Sequence, residues 1–184
     1  MTQIDVRSAL HESVAGPYCD LVTRRTGAAV RTLIERQLDG LADGTVAFLD
    51  FSRIGVLDRS CADEFVAKLM LPRASDAPSR DGYVVVQGVN EFHLESIEAV
   101  LHAHGLALVV QFPDGVAHLV GAVTECERRL WELVMSAGGA SEVAKLADAA
   151  GLACEEARAA LDSLARRRLL RRDADHFAPL GAAA

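Results

Sequence analysis

At 184 residues, with 51% apolar and 24% charged side chains, the chain has the composition of a folded globular protein and not of a disordered one. The formal net charge of −7 argues against a protein that coats nucleic acid; residues 1–123 carry 10 Lys+Arg against 16 Asp+Glu, residues 124–184 carry 9 against 10. No apolar run reaches the roughly 20 residues of a membrane-spanning helix, and the start, MTQIDVRSALHES, lacks the basic-then-apolar layout of a signal peptide, so a cytoplasmic location is expected.

The residues ahead of Thr26 read as a short leader. From Thr26-Gly27 the apolar residues Val30, Leu33, Ile34, Leu38 and Leu41 recur in steps of three and four, which places them on one stripe of a helix ended by Asp43-Gly44. Thr45 to Phe51 is a short apolar run without alternation, the pattern of a strand buried on both faces. A helix follows from about Ser60 to Met70, stopping near Pro72, and Arg73 to Asp81, with Pro78 and the adjacent Gly82, reads as a loop. Tyr83 to Val86 is a second buried-type strand. Asn90 then caps a helix with Leu94, Ile97, Val100 and Leu101 inward, and Gly105 ends it. Leu106 to Val110 is a third strand, after which Pro113-Asp114-Gly115 turns into the apolar run Val116 to Val120. Helix and strand alternate over residues 26 to 110, and parallel strands need crossover helices, so an α/β layer is expected.

From Thr124 the pattern changes. A helix with Leu130, Trp131 and Val134 inward is followed by a second, Ser141 to Ala149, closed by Ala150-Gly151-Leu152. A third, from about Glu155 to Arg168, turns Ala157, Ala160, Leu161 and Leu164 inward, and Leu169 to Phe177 reads as two short strands about an Asp-Ala-Asp turn. Helix, helix, Gly-containing turn, helix and hairpin is the order of a winged helix-turn-helix. Two domains are therefore expected, residues 1–120 and residues 124–180.

The segment Asp50 to Leu69, DFSRIGVLDRSCADEFVAKL, places an acidic residue at a strand end, then a short loop, then a serine where a helix begins. Together with Arg24-x-x-Gly27 it resembles the STAS-like family, which is related to the anti-sigma factor antagonists; the run Ser60, Ala62, Asp63, Glu64 is the most specific part, and the resemblance covers roughly residues 20 to 112. It implies an α/β fold, a STAS-like sheet with helices, here followed by the winged helix-turn-helix (α+β). It also implies a partner-binding face at Asp50, Asp58, Ser60, Asp63, Glu64 and Arg24, with a histidine-kinase-type ATPase as partner. By position in the motif, Ser60, two after Asp58, corresponds to the serine that such a partner phosphorylates, where the family more often has serine or glycine in place of Arg59 and Cys61. A phosphate of roughly −2 charge there would repel an acidic partner surface. A simpler reading also holds: Ser60 with Asp63 fits the S-x-x-D capping pattern, worth about 1 kcal/mol.

Catalysis is not expected. The histidines His11, His93, His102, His104, His118 and His176 form no H-E-x-x-H, and G-x-S-x-G, P-loop and G-x-G-x-x-G runs are lacking. An Asp50–Asp58 carboxylate pair has nothing beyond the loop to support it. Cys19, Cys61, Cys126 and Cys154 form no C-x-x-C pair, so neither a metal site nor a disulfide framework is suggested, and they are expected to be small buried apolar residues; no cofactor is expected. DNA binding is the alternative. Arg158, Arg166, Arg167, Arg168, Arg171 and Arg172 run from the third helix into the hairpin and could grip phosphates, although that helix opens with Glu155-Glu156. Ligand sensing by the first domain stays open as a third class.

Overall fold

The computed structural model describes residues 1–14, 19–74 and 82–180. The chain divides into two compact units, Met1–Ala122 and Val123–Ala184.

The first unit is mixed α/β. Its elements run β1 (Thr2–Asp5), α1 (Val6–Ser13), α2 (Arg24–Asp39), β2 (Val46–Asp50), α3 (Arg59–Ala62), a π-helical stretch (Asp63–Ala67) that passes into α4 (Lys68–Met70), then β3 (Tyr83–Gln87), α5 (Glu91–His104), β4 (Ala107–Gln111) and β5 (Ala117–Gly121). The strands form one sheet in the order β1-β2-β3-β4-β5; the first four are parallel and β5 returns antiparallel to β4. Each crossover leads to the next strand along, and right-handed crossovers of that kind bring their helices to one face. The core follows this geometry: Ala47 and Leu49, Val84 and Val86, Leu108 and Val110 alternate along their strands and pack with Val30 and Ile34 of α2, Phe65 of the π-helical stretch and Ile97 and Leu101 of α5. The central strands β3 and β4 are buried along four of their five residues, as their unbroken apolar runs required.

Residues 2–13 are not a leader. Thr2–Asp5 is the edge strand, with Ile4 in the core, and Asp5 caps α1 by accepting from the Arg7 amide at 2.9 Å. Val6, Ala9 and Leu10 then bury the inner stripe of an eight-residue helix, a signal too short to stand out in the sequence. Helix α2 begins at Arg24 on a Thr23 cap and ends at Asp39, short of Asp43-Gly44. Residues 75–81 of the expected loop, Pro78 among them, lie outside the described residues. Gly27 has a packing reason: a Cβ there would stand 2.9 Å from the Cys61 carbonyl oxygen, so α2 approaches α3 only because position 27 is glycine.

The second unit runs α6 (Glu125–Ala137), β6 (Ser141–Glu142), α7 (Val143–Ala150), α8 (Cys154–Arg166), β7 (Arg171–Asp173) and β8 (His176–Ala178), with a small antiparallel sheet in the order β6-β8-β7. Ser141 and Glu142, expected to open a helix, pair instead with Phe177 and His176, which moves the start of α7 to Val143. Leu130, Trp131, Val134, Leu146, Leu161, Leu164, Leu169 and Phe177 are buried, and the Trp131 indole donates to the Leu169 carbonyl at 3.2 Å. Ala160 is half-buried. Glu127 is buried at 8% exposure but fully engaged: its carboxylate accepts from the Thr124 amide (2.8 Å), the Ser163 hydroxyl (2.7 Å) and Arg167 (2.8 Å). Burial alone would raise its pKa; these donors outweigh burial and hold the carboxyl below the usual range.

Candidate functional site

The site begins where β2 ends. Asp50 accepts from the Ser52 amide at 2.8 Å and from the Gln3 side chain at 2.6 Å. Phe51, fully buried and stacked on Phe65 with ring centroids 5.7 Å apart, anchors the chain as it leaves the sheet. Gly88, at φ +70°, lets the end of β3 approach this point; a Cβ on it would lie 2.5 Å from the Ser52 nitrogen.

The loop from Ser52 to Asp58 is then laced from two sides. On one side the backbone of residues 19–21 runs alongside: Gly55 donates to the Cys19 carbonyl (2.8 Å), Leu21 to the Val56 carbonyl (2.7 Å) and Asp58 to the Leu21 carbonyl (2.9 Å). The Asp20 carboxylate also accepts from the Val56 amide at 2.9 Å. On the other side stands α5, where Ser96 donates to the Leu57 carbonyl at 2.9 Å and His93 Nε2 lies 3.0 Å from the Gly55 carbonyl. His93 Nδ1 accepts from the Asn90 amide within the capping box of α5, which leaves Nε2 to donate to the Gly55 carbonyl. This explains a histidine that is 1% exposed.

Asp58 caps α3. Its Oδ1 accepts from the Cys61 amide at 2.7 Å and from the Ser60 hydroxyl at 2.9 Å. The S-x-x-D reading is therefore corrected: Ser60 is not the cap but the second residue of the helix, half-buried, with its hydroxyl turned back to the capping carboxylate. Ser60 lines a cavity of about 400 Å³ together with Arg24, Arg59, Asp63, Val100 and Ala103. Arg24 bridges Asp63 (2.9 Å) and Glu64 (3.1 Å), Lys68 also pairs with Glu64, and His104 reaches Asp63 at 2.7 Å. The His104 hydrogen bond, and then Arg24, hold Asp63 below the usual carboxylate range against the effect of burial.

The structure thus brings Arg24, Asp58, Ser60, Asp63 and Glu64 into one neighbourhood and leaves Asp50 in another. Asp50 lies in register with Asp5 and Gln87 at the carboxyl ends of the strands, and its hydrogen bonds come from Ser52, Gln3 and Gln87, so it forms no carboxylate pair with Asp58. Of the cysteines, Cys61 alone is buried; Cys19 and Cys126 are half-buried and Cys154 is exposed, which corrects the expectation for three of them. Burial, then the neighbouring Asp58 carboxylate, pushes the Cys61 thiol up to about 12, and it stays protonated. Among the described residues no group of His, Cys, Asp and Glu could hold a metal ion, and no helix is long and apolar enough to cross a membrane.

Arg59 was not among the expected site residues, and neither were Val56, Phe92, Glu95 and Ser96, which with Gly55, Leu57 and Ala99 line a second cavity of about 410 Å³. Arg59 borders both cavities. One sign was readable in the sequence: Phe92 falls off the Leu94, Ile97, Leu101 stripe of its helix, and an aromatic residue away from the buried stripe faces water.

In the second unit the arginines offered to DNA are largely engaged. Arg158 pairs with Asp175 at 2.7 Å, Arg172 with Asp162 at 3.1 Å, and Arg167 with Glu127. The first two pairs cross between α8 and the hairpin in opposite directions. Arg166 is exposed, Arg168 is half-buried at φ +61°, and Arg171 is half-buried with its Nε 3.5 Å from the Leu180 carbonyl. Comparison with known proteins found no matching family model, no matching curated protein and no matching solved structure.

Proposed function

We propose that the chain is a regulatory signalling adaptor of the anti-sigma factor antagonist type, acting by protein–protein interaction and not by catalysis. On this reading the first unit is a STAS-like domain that docks a histidine-kinase-type ATPase around Ser60, and the second is a winged helix-turn-helix that supplies another binding surface. The observation that carries it is the setting of Ser60: a half-buried hydroxyl bonded to Asp58, on a cavity lined by Arg24, Arg59 and the Asp63 that Arg24 pairs with. A phosphoryl group on that oxygen would repel Asp58, its hydrogen-bond partner, and find two guanidinium groups at the same cavity. One modification would therefore change both the helix cap and the charge of the docking face.

The test uses the purified full chain and the kinase-type ATPase encoded nearest to its gene. With ATP and Mg²⁺, mass spectrometry should map one phosphate to Ser60, and none should appear on Ser60→Ala. Ser60→Ala should keep ATPase binding while Ser60→Asp loses it at least tenfold; equal loss in both variants, or phosphate elsewhere only, refutes the reading. The order of elements in the second unit supports the alternative of a DNA-binding transcriptional regulator with the first unit as sensor. The carboxylate partners of Arg158, Arg167 and Arg172 count against it. Random duplex DNA at low salt, offered to the wild type and to a variant with Arg167, Arg168, Arg171 and Arg172 neutralised, separates the two; no binding by the wild type removes the alternative.

A further inference from the structure

Helix α5 presents two parallel rows to solvent beside the cavity that Arg59 borders. Phe92, Ser96, Ala99 and Ala103 follow at i, i+4, i+7 and i+11, which sets them on one stripe. Phe92 is 77% exposed, and the three residues after it are small, so the stripe is apolar at one end and low along its length. Across the cavity stand Val56, 52% exposed, and Leu57, both on the laced loop. Glu91, Glu95 and Glu98 repeat the same spacing one residue earlier, all exposed, forming an acidic row along the outer edge of the stripe. Among the described residues neither they nor Arg59 has an ion-pair partner. The groove is therefore mostly apolar along its floor, with a row of carboxylates on one edge and the single guanidinium of Arg59 on the other.

Resting on the docking role given above, we infer that this groove receives an amphipathic helix of the protein partner, with apolar residues along its inner ridge, Lys or Arg on the edge facing Glu91, Glu95 and Glu98, and a carboxylate opposite Arg59. Three features select a helix. From Phe92 to Ala103 the stripe spans about 16 Å, roughly three helical turns. It lies between α5 and the start of α3, where no sheet edge offers backbone groups to an extended peptide. Small residues at Ser96, Ala99 and Ala103 let a second helix come close. The opposed charges fix the direction in which it lies, because a reversed edge would set like charges against each other. Since Arg59 also borders the Ser60 cavity, a phosphate on Ser60 would compete with the partner's carboxylate for it.

The experiment uses 15N-labelled full chain and three synthetic peptides of about 16 residues: one with a leucine ridge, lysines on one edge and glutamates on the other, one with both edges made glutamate, and one of the first composition interrupted by proline. The first peptide should give saturable amide shifts at Val56, Arg59, Phe92, Ser96 and Ala99. It should bind at least about tenfold more tightly than the second, and the third should not bind. Phe92→Ser should weaken binding about tenfold, and Glu95→Lys with Glu98→Lys should invert the preference between the first two peptides. Shifts confined to other surfaces, no saturable shift, or a preference that the double reversal leaves unchanged each overturn the inference. If the peptides fail while Ser60→Asp still releases the ATPase, the groove is wrong and the adaptor reading stands; if the inversion holds but Ser60 is never phosphorylated, the reverse is true.

Discussion

The loop at the end of β2 and the face formed by α8 with its hairpin are both exposed, polar and candidate binding surfaces, yet they are held in different ways. Backbone hydrogen bonds from residues 19–21, a buried phenylalanine and two side chains of α5 fix the loop; of its arginines, Arg53 pairs with Asp5 at 2.9 Å, while Arg59 has no ion-pair partner among the described residues. The α8–hairpin face is tied by its own charges: Arg158 with Asp175 and Arg172 with Asp162 occupy each other. A surface whose shape is set by buried and backbone contacts can spend its charges on a partner. One whose charges hold it together has fewer to offer, and this contrast is why we place recognition in the first unit.

The contrast can be strained at its strongest points first. Removing the buried carboxylate with Glu127→Ala breaks its pair with Arg167 and its hydrogen bonds to Thr124 and Ser163, and should lower the stability of the chain by about 3 kcal/mol in thermal or denaturant melts, without changing the loop's amide shifts. The linked pH dependence has a definite sign. The folded-state pKa of Glu127 lies below the ordinary glutamate value, so its contribution is complete above roughly pH 4.3 and fades as pH falls through the lower folded value. Glu127→Gln should flatten the acid limb of a plot of melting temperature against pH; an unchanged limb would show that the carboxylate carries no such linkage.

Next in size is Gly88→Ala. The backbone there is left-handed and a Cβ would meet the Ser52 nitrogen, so about 2 kcal/mol should be lost, and the amide resonances of Ser52 to Asp58 should move. A shift confined to residue 88 and its chain neighbours would mean the loop does not lean on the close approach. Asp58→Ala should cost about 1 kcal/mol by removing the cap of α3, whereas Ser60→Ala should cost less than half of that. Equal costs, read from urea melts, would return the capping role to Ser60. The smallest effect is expected at Arg158→Ala, where the pair is exposed and screened: a melting temperature indistinguishable from wild type in about 0.15 M salt. A clear drop there, of the size seen for Asp58→Ala, would make the α8–hairpin face more rigid than its contacts imply.

Much of the first unit was legible because its signals are local. The helix from Asn90 to Gly105 shows both caps and its inner stripe in one stretch of sequence, and the buried strands Tyr83–Gln87 and Ala107–Gln111 show unbroken apolar runs. The edge strand Thr2–Asp5 was not legible: with one apolar residue in four it is a strand only because β2 lies beside it. The same holds for Ser141–Glu142, which pairs with Phe177 and His176, partners more than 30 positions away. At the site, the run from Asp58 to Glu64 showed where a helix begins but pointed to the wrong capping residue. Asp58 and Ser60 both have the chemistry of a cap, and the choice depends on where the loop turns.

By itself the sequence determined the alternation of elements, which residues point inward on the long helices, and the excess of acid in the first 123 residues, because periodicity, caps and charge are properties of neighbouring positions. Tertiary structure alone decided that Asp50 and Asp58 part company, that Arg24 is shared between Asp63 and Glu64, and that Arg59, Val56 and Phe92 meet around one cavity. Those relations join positions up to 40 residues apart along the chain, and only packing the helices on the sheet sets the distances between them.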